Sequence, residues 1–256
     1  MKLKDNTILI TGGSSGIGLA LAKKFVELGN RVIVTGRNAQ RLEAAKTEVP
    51  ELHTLRCDAA DPAALKNLAR MLEAEHPQLN VLVNNAGIMR FIDVSRAATD
   101  LAELTTELDI NLAGPMRTVS VFIDTLKRNK GTILNVTSGL AFVPLSAAPI
   151  YCATKAALHS YTVSLRLQLK QCGVEVIELA PPAVQTNLAS FPEGEVKVIT
   201  TDELIQATFK GLRAGDLEIR PGQANQLHWL GRIAPQFITA QLDKGSKTML
   251  PPTEPR

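Results

Sequence analysis

The chain has 256 residues, of which 45% are hydrophobic and 21% charged, and its formal net charge is +3. These values are typical of one large globular domain, and they exclude a disordered chain or a strongly basic nucleic-acid-binding protein. The first apolar run, residues 8–10, soon meets glycines, so we expect neither a signal peptide nor a membrane span.

Runs of apolar, β-branched residues alternate with segments of helical periodicity along the chain. Strands are predicted over residues 7–11, 31–35, 52–57, 81–84, 132–137 and 174–179, with a short last strand at 216–220. Helices are predicted over residues 16–28, 39–48, 62–75, 101–128, 150–171, 201–213 and 224–242. This alternation predicts an α/β fold: a Rossmann-type, doubly wound parallel sheet of six or seven strands with helices on both faces.

No linker or internal repeat divides the sequence. We therefore predict a single domain over residues 1–243, including a polar loop at 187–200 that follows the sixth strand. Residues 244–256 are rich in proline and polar side chains, and we predict a flexible tail there.

The three cysteines lack paired spacing, and the four histidines are scattered. Unpaired cysteines are typical of reduced thiols, so we predict a cytoplasmic protein without disulfides. The histidines form no metal-ligand pattern, and we expect no metal site.

Residues 11–18, with the sequence Thr-Gly-Gly-Ser-Ser-Gly-Ile-Gly, connect the first predicted strand to the first predicted helix. Glycines let a backbone approach a pyrophosphate closely, and a helix N-terminus supplies free N–H groups and a positive potential. A glycine-rich turn elsewhere would only be a turn, but in this position it indicates a dinucleotide site.

The end of the second strand bears on which dinucleotide is bound. NAD sites usually carry an acidic residue there to accept a hydrogen bond from the ribose 2′-hydroxyl. This chain has Gly36 followed by Arg37, so no carboxylate repels a 2′-phosphate and a guanidinium is available to hold one. We predict NADP(H) rather than NAD(H); the alternative is that Arg37 only caps the strand at the surface.

Tyr151 and Lys155 are four residues apart in a predicted helix, which places both on one face. An ammonium beside a phenol favours the phenolate and lowers its pKa, which makes tyrosine a general acid or base. The alternative is an ordinary solvated helix face, on which this spacing is common.

Asn111 lies inside the long predicted helix at 101–128, and Pro115 follows it. Proline has no N–H to bond the carbonyl of residue 111, and its ring presses on that carbonyl. We predict a kink that leaves the Asn111 carbonyl free to hold a water. The alternative is a packing kink without a chemical role.

In this order and spacing, the motifs resemble the short-chain dehydrogenase/reductase family over residues 5–190. The matching elements are the glycine turn, Cys57-Asp58, Asn84-Asn85-Ala86-Gly87, Asn111, Ser138, Tyr151-x-x-x-Lys155 and Pro-Pro-Ala-Val-Gln-Thr at 181–186. The C-terminal third is similar to a branch labelled DltE-like oxidoreductases, through Glu-Ile-Arg-Pro-Gly-Gln at 218–223.

The resemblance implies catalytic roles for four residues. Ser138 would bind the substrate oxygen, Tyr151 would exchange its proton, and Lys155 would also bind the nicotinamide ribose. A water at Asn111 would connect the lysine to solvent. The implied cofactor-binding residues are Gly12, Ser14, Ser15, Gly16, Ile17, Gly18, Arg37, Asp58, Ala59, Asn85, Ala86, Gly87, Tyr151, Lys155, Pro181, Val184 and Thr186. The family commonly has glycine where this chain has Pro182, which leaves open how closely that turn approaches the nicotinamide.

The hypothesis is an NADP(H)-dependent oxidoreductase that moves a hydride between nicotinamide and a carbonyl or secondary alcohol. Two alternatives are an epimerase or dehydratase of the same fold, and a non-catalytic NADP(H)-binding redox regulator. The helices at 101–128 and 150–171 resemble those that pair subunits in the family, which implies a homodimer or homotetramer.

Three segments should shape the substrate pocket: residues 88–94, 140–148 and 187–200. They are mostly small or apolar, and Arg90 is their one ionic candidate. Four bulky side chains are predicted to form either an apolar pocket wall or core packing. They are Phe142, Val143, Leu145 and Phe191.

Overall fold

The structure, a computed structural model, describes residues 1–95, 101–186, 188 and 197–250. Its centre is a seven-stranded sheet of order β3-β2-β1-β4-β5-β6-β7, in which every neighbouring pair is parallel. The strands are β1 (Thr7–Thr11), β2 (Arg31–Gly36), β3 (His53–Arg56), β4 (Val81–Asn84), β5 (Thr132–Val136), β6 (Glu175–Leu179) and β7 (Glu218–Ile219). The predicted fold class is confirmed, with the upper number of strands.

Helices cover both faces of the sheet. They are α1 (Gly16–Glu27), α2 (Ala39–Glu48), α3 (Pro62–Glu75), α4 (Leu101–Leu108), α5 (Gly114–Arg128), α6 (Pro149–Leu169), α7 (Thr201–Ala214), α8 (Gln223–Ile233) and α9 (Pro235–Ser246). A π-helical turn, Asp109–Ala113, joins α4 to α5. Among the described residues, no helix is long and apolar enough to cross a membrane.

The central strands are buried on both faces, and alternate side chains therefore enter two different cores. On one face, Ile8 and Ile10 of β1 pack in a cluster with Phe25 of α1 and Phe209 of α7. On the other face, Leu9 belongs to a cluster filled from α3, α5 and α6. Both cores hold the strands fixed, so the loops at the strand ends start from a rigid base.

Local capping explains where several helices begin. Asp61 accepts hydrogen bonds from the N–H groups of Ala63 and Ala64, and Pro62 occupies the first turn of α3. Thr200 and Glu203 form a reciprocal capping box at the start of α7.

The C-terminal region differs from the prediction in two respects. The predicted helix at 224–242 is divided between α8 and α9 at Ala234, because Pro235 cannot continue α8 and instead begins the next helix. The predicted flexible tail is wrong for residues 244–250: α9 runs through Ser246, a 3₁₀ turn follows, and Met249 is buried in an apolar cluster. Residues 251–256 lie outside the described residues.

Candidate active site

A cleft of about 630 Å³ opens at the carboxyl ends of the strands. β1 and β4 are neighbours in the sheet, although β2 and β3 lie between them in the chain. Strand order therefore reverses between β1 and β4, which is where open α/β sheets bind their ligands. We distinguish a nucleotide half of the cleft, near β1 and β2, from a reactive half, near β5 and α6.

Most of the predicted cofactor-binding residues line this cleft. They are Gly12, Ser14, Ser15, Gly16, Ile17, Arg37, Asp58, Ala59, Asn85, Ala86, Gly87, Tyr151, Lys155, Pro181, Val184 and Thr186. The exception is Gly18, which faces the glycine turn from within α1: a Cβ there would lie 2.3 Å from the Gly12 carbonyl oxygen. Gly18 thus permits close packing of helix on turn, and it does not itself line the cleft.

The glycine turn is held from the β4 side. The Asn85 side-chain amide donates to the carbonyl oxygens of Thr11 (3.1 Å) and Gly12 (2.9 Å). The Thr11 hydroxyl accepts from the backbone N–H groups of Asn85 and Ala86. At the start of α1, the Ser15 side chain makes no capping hydrogen bond, which leaves the first N–H groups of the helix available to an anion.

At the end of β2, the nucleotide half finishes in a basic corner formed by Gly36, Arg37 and Arg41. Gly36 lies against Ser14, and a Cβ at position 36 would stand 3.0 Å from the serine Oγ, so a larger side chain there would have to displace the serine hydroxyl. Arg37 and Arg41 are both exposed and both line the cleft. Arg41 was not among the predicted site residues. Asn38, a typical N-cap residue, could have indicated it: its side chain caps α2 by accepting from the Arg41 backbone N–H, which places the arginine in the first turn.

Asp58 and Ala59 line the cleft beyond this corner, after β3. The Asp58 carboxylate accepts a hydrogen bond from the Ala60 backbone N–H at 2.9 Å, which fixes the turn into α3.

The catalytic candidates Ser138, Tyr151 and Lys155 meet in the reactive half. Ser138 follows β5 and is 8% exposed, while Tyr151 and Lys155 of α6 are 5% and 4% exposed. The lysine Nζ donates to the Val136 carbonyl oxygen at 2.9 Å and lies 5.7 Å from the centre of the Tyr151 ring. The predicted helix face therefore points into the cleft and is not solvated.

The electrostatics of this pair differ from the prediction. Burial raises the pKa of Tyr151 well above its ordinary value, and a hydrogen bond with Ser138 opposes that rise only in part. Burial also lowers the pKa of Lys155 to about 8. The spacing of the two residues predicts only the attraction between ammonium and phenolate, whereas in this buried site the cost of desolvating each charge is the larger effect.

Asn111 lies behind the reactive half and is fully buried. As predicted, the α-helical pattern breaks here: the π-helical turn spans this residue, and the Gly114 N–H bonds back to the Asp109 carbonyl. The Asn111 side chain accepts from the Ile88 N–H and donates to the Ile88 carbonyl, both at 2.8 Å. It also donates to the Thr154 hydroxyl of α6 at 3.2 Å.

The turn after β6 lies across the cleft from these groups. The Pro181 carbonyl accepts from the Gly139 N–H at 2.8 Å, which ties this turn to the segment that carries Ser138. Pro182 lines the cleft as well, so proline occupies the place of the family's usual glycine without withdrawing from the wall.

The outer wall of the reactive half is apolar. It is formed by Met89, Leu140, Leu145, Leu188, Leu227 and Leu242. Phe142 packs elsewhere, against the rings of His159 and His228, and buried Val143 does not line the cleft. Leu227 and Leu242 belong to α8 and α9, which no local motif connects to the site. Phe191 lies outside the described residues.

Across residues 1–95, 101–186, 188 and 197–250, no group of three or more His, Cys, Asp or Glu side chains is placed to hold a metal ion.

Comparison with known proteins agrees with this geometry. The family profile described as short chain dehydrogenase matches residues 6–194. The uncharacterized oxidoreductase DltE of Bacillus subtilis is 46% identical over 224 residues, covering 86% of this chain and 89% of the relative. The NADP-dependent 3-hydroxy acid dehydrogenase YdfG of Salmonella typhi is 34% identical, covering 69% and 72%.

Among solved structures, a short chain dehydrogenase from Burkholderia cenocepacia in complex with NADP superposes with a TM-score of 0.82 at 25% identity. That match covers 94% of this chain and 99% of the other. Sheet order, glycine turn, catalytic spacing and sequence profile all agree, and the chain therefore belongs to the short-chain dehydrogenase family, whose oxidoreductases use a nicotinamide cofactor.

Proposed function

We propose that this protein is an NADP(H)-dependent oxidoreductase that moves a hydride between nicotinamide and a carbonyl or secondary alcohol, with Tyr151 as general acid and base. The observation that carries the proposal is the convergence of Ser138, Tyr151 and Lys155 on the cleft that also contains the glycine turn.

The chain's own residues fit such a cofactor. The pyrophosphate would lie on the glycine turn and the N-terminus of α1, where N–H groups are available. Arg37 and Arg41 would hold the 2′-phosphate, which favours NADP(H) over NAD(H). Asp58 and Ala59 would contact the adenine, and Val184 and Thr186 the nicotinamide end. Bound there, the cofactor supplies or accepts the hydride, and the protein manages the proton.

Proton transfer falls to Tyr151. Because burial raises its pKa, the phenol stays neutral near physiological pH and is ready to donate to a substrate oxygen in the reducing direction. The Ser138 Oγ accepts from the Leu140 N–H at 3.1 Å, and its hydroxyl is within hydrogen-bond reach of Tyr151. On substrate binding that O–H would turn to the substrate oxygen and steady the developing charge.

Lys155 and Asn111 support this step. One Lys155 N–H is used by the Val136 carbonyl, and the others would bind the ribose hydroxyls and stabilise the phenolate left by proton transfer. The π-helical turn at Asn111, with its interrupted hydrogen-bond ladder, offers a place for the relay water.

The test is NADPH oxidation in the presence of a panel of aldehydes, ketones and quinones. We expect turnover by the wild type and a loss of about 10²–10⁴-fold in Tyr151→Phe, with NADPH affinity retained. Tyr161→Phe is the matched control, because Tyr161 lies on the same helix and does not line the cleft. Equal turnover by wild type and Tyr151→Phe would contradict the proposal.

The same assay separates the two alternatives. An epimerase or dehydratase would consume substrate without a net change in nicotinamide absorbance. A redox regulator would bind NADPH without turnover, and its cellular effect would survive Tyr151→Phe.

We also propose a homodimer or homotetramer. Large apolar side chains are exposed on the helices predicted to pair subunits: Leu101 (73%) and Leu108 (40%) of α4, Met116 (37%) of α5 and Leu167 (71%) of α6. Light scattering that finds a 27.6 kDa particle would reject this proposal. A cytoplasmic location likewise remains a prediction, which fractionation would test.

A further inference from the structure

Arg90 stands out in the reactive half, because it follows β4 and lines the cleft among apolar side chains. Its side chain is 27% exposed. In the described wall of this half, the other cation is Lys155, which the proposed mechanism already uses. An arginine in this position would ordinarily suggest a receptor for a substrate carboxylate.

The guanidinium of Arg90 is already engaged by α4. Its Nη2 donates to the backbone carbonyls of Glu103 (2.7 Å) and Leu104 (3.2 Å). Its Nη1 lies 3.5 Å from the Glu103 carboxylate, and its Nη2 lies 3.8 Å from that of Glu107. The two terminal nitrogens are thus drawn toward the helix, where carboxylates counter the charge. The buried Nε has no hydrogen-bond partner among the described residues.

Glu107 of α4 also holds Arg90 in this position. Its side chain is fully buried, and its Oε1 accepts from the Arg90 backbone N–H at 3.0 Å. Its Oε2 has no hydrogen-bond donor among the described residues, and the guanidinium at 3.8 Å is the charged group beside it. Burial raises the pKa of Glu107, and the Arg90 N–H and guanidinium oppose that rise. Moving Arg90 toward a ligand would leave a buried carboxyl group without that partner, which is costly.

Among the described residues that line the reactive half, none besides Arg90 and Lys155 carries a positive charge. A substrate carboxylate beside Arg90 would meet Glu103 and Glu107 at close range. Gln223 lines the cleft as an uncharged polar group.

We propose that the substrate is an uncharged carbonyl compound, or the matching alcohol, with an apolar substituent, and that Arg90 shapes the pocket wall without binding a carboxylate. This inference rests on the proposed function. Hydride from NADPH would reach the carbonyl carbon, the Tyr151 proton would reach its oxygen, and NADP⁺ would leave with the uncharged alcohol.

The experiment compares matched pairs of 3-oxo acids and their methyl esters, added to the full-length protein with NADPH. The two members of a pair differ in charge and share the reacting ketone. We expect kcat/KM for each ester to exceed that for its acid by tenfold or more. A free acid that is reduced as well as its ester, or better, would overturn the inference and leave the proposed function intact. No NADPH oxidation with any carbonyl compound would instead reject the proposed function.

A variant examines Arg90 directly. If the arginine bound a carboxylate, Arg90→Met would lose activity toward the acid selectively and spare the ester, which would overturn the proposal. We expect the ester-to-acid ratio to stay within about threefold of wild type, whether or not both activities fall together. Arg128→Met is the matched control, since Arg128 also pairs with a carboxylate, that of Glu73, and lies away from the cleft. The wild-type comparison stands even if Arg90→Met fails to fold.

Discussion

The two halves of the cleft handle charge in opposite ways. In the nucleotide half, Arg37 and Arg41 are exposed, and neither has an acidic partner among the residues that the structure describes. In the reactive half, Lys155 is buried and Arg90 is countered by carboxylates. The exposed arginines of the nucleotide half are therefore available to an external anion. The cations of the reactive half are instead buried or paired with carboxylates of the protein itself. On the proposed function, one cleft would thus select a cofactor with a 2′-phosphate and an uncharged reactant.

Among the variants that test this contrast, the largest expected effect comes from removing the exposed cations. In the double variant Arg37→Ala, Arg41→Ala, we expect the Kd for NADPH to rise by about 100-fold or more, because two charge-assisted hydrogen bonds of about 1.5–3 kcal/mol each are lost. Affinity for NADH should change little, since NADH has no 2′-phosphate. Calorimetry of both cofactors measures the difference, with Arg70→Ala, an exposed arginine outside the cleft, as control. An equal loss for both cofactors would show that the corner does not discriminate.

A second prediction concerns an ion pair between half-buried His159 and buried Glu178, near the reactive half. The Nδ1 of His159 lies 2.8 Å from the Oε2 of Glu178, and Glu178 also accepts from Thr137 at 2.6 Å, next to Ser138. The hydrogen bond with Glu178 raises the pKa of His159, against the effect of burial; Glu218 adds to the rise and Arg166 opposes it. Below the unfolded pKa of about 6.5 this stabilisation is fully present, and it is lost as pH rises through the higher folded value.

We therefore expect His159→Gln to lower the free energy of unfolding by about 1.5–3 kcal/mol near pH 6. The difference from wild type should shrink toward pH 9. Denaturant titration at several pH values measures it, with exposed His53→Gln as control. A difference that grows with pH would contradict the assignment of a protonated histidine.

The third prediction concerns the pH dependence of activity, which should follow the charge of buried Lys155. Because burial lowers the pKa of Lys155 to about 8, the ammonium is present below that pH and lost above it. We expect kcat/KM for carbonyl reduction to be level at lower pH and to fall about tenfold per pH unit beyond about 8. Tyr151 should not add to this fall, since its own pKa is raised. A profile that stays level to pH 10 would show that the lysine charge is not needed.

The smallest effect is expected at Pro182. Replacement by the family's usual glycine should cost about 0.4–1 kcal/mol of stability, because glycine gives the unfolded chain more freedom. Turnover should stay within about threefold, since Pro182 carries no reacting group. Thermal melting and steady-state kinetics measure both, and a large gain in turnover would indicate that proline holds the turn away from the reactants.

The sequence predicts the nucleotide half well because that half depends on local chemistry. The glycine turn, Gly36 and Arg37 follow directly from strands that the hydrophobic pattern already identifies. Tyr151 and Lys155 are equally visible, because a helix fixes their relation.

What the sequence could not show depends on contacts distant in the chain. Leu227 and Leu242 reach the pocket only through packing between distant parts of the chain: Leu227 lies beside Gly139, and Leu242 packs against the cluster that contains Tyr151. The pKa directions of Tyr151 and Lys155 follow from how deeply the assembled fold buries them, which residue spacing does not reveal. Arg90 looks like a free cation until Glu103 and Glu107 are placed beside it.

The Asn111 side chain hydrogen-bonds the backbone of residue 88 through both its N–H and its carbonyl. These two hydrogen bonds do not depend on the isoleucine side chain. Because both hydrogen bonds are to the main chain, they can form whatever side chains follow in this segment. The neighbouring substrate segment is thus open to diversification: libraries randomised downstream of position 88 should alter which compounds are accepted while the proton machinery keeps its alignment.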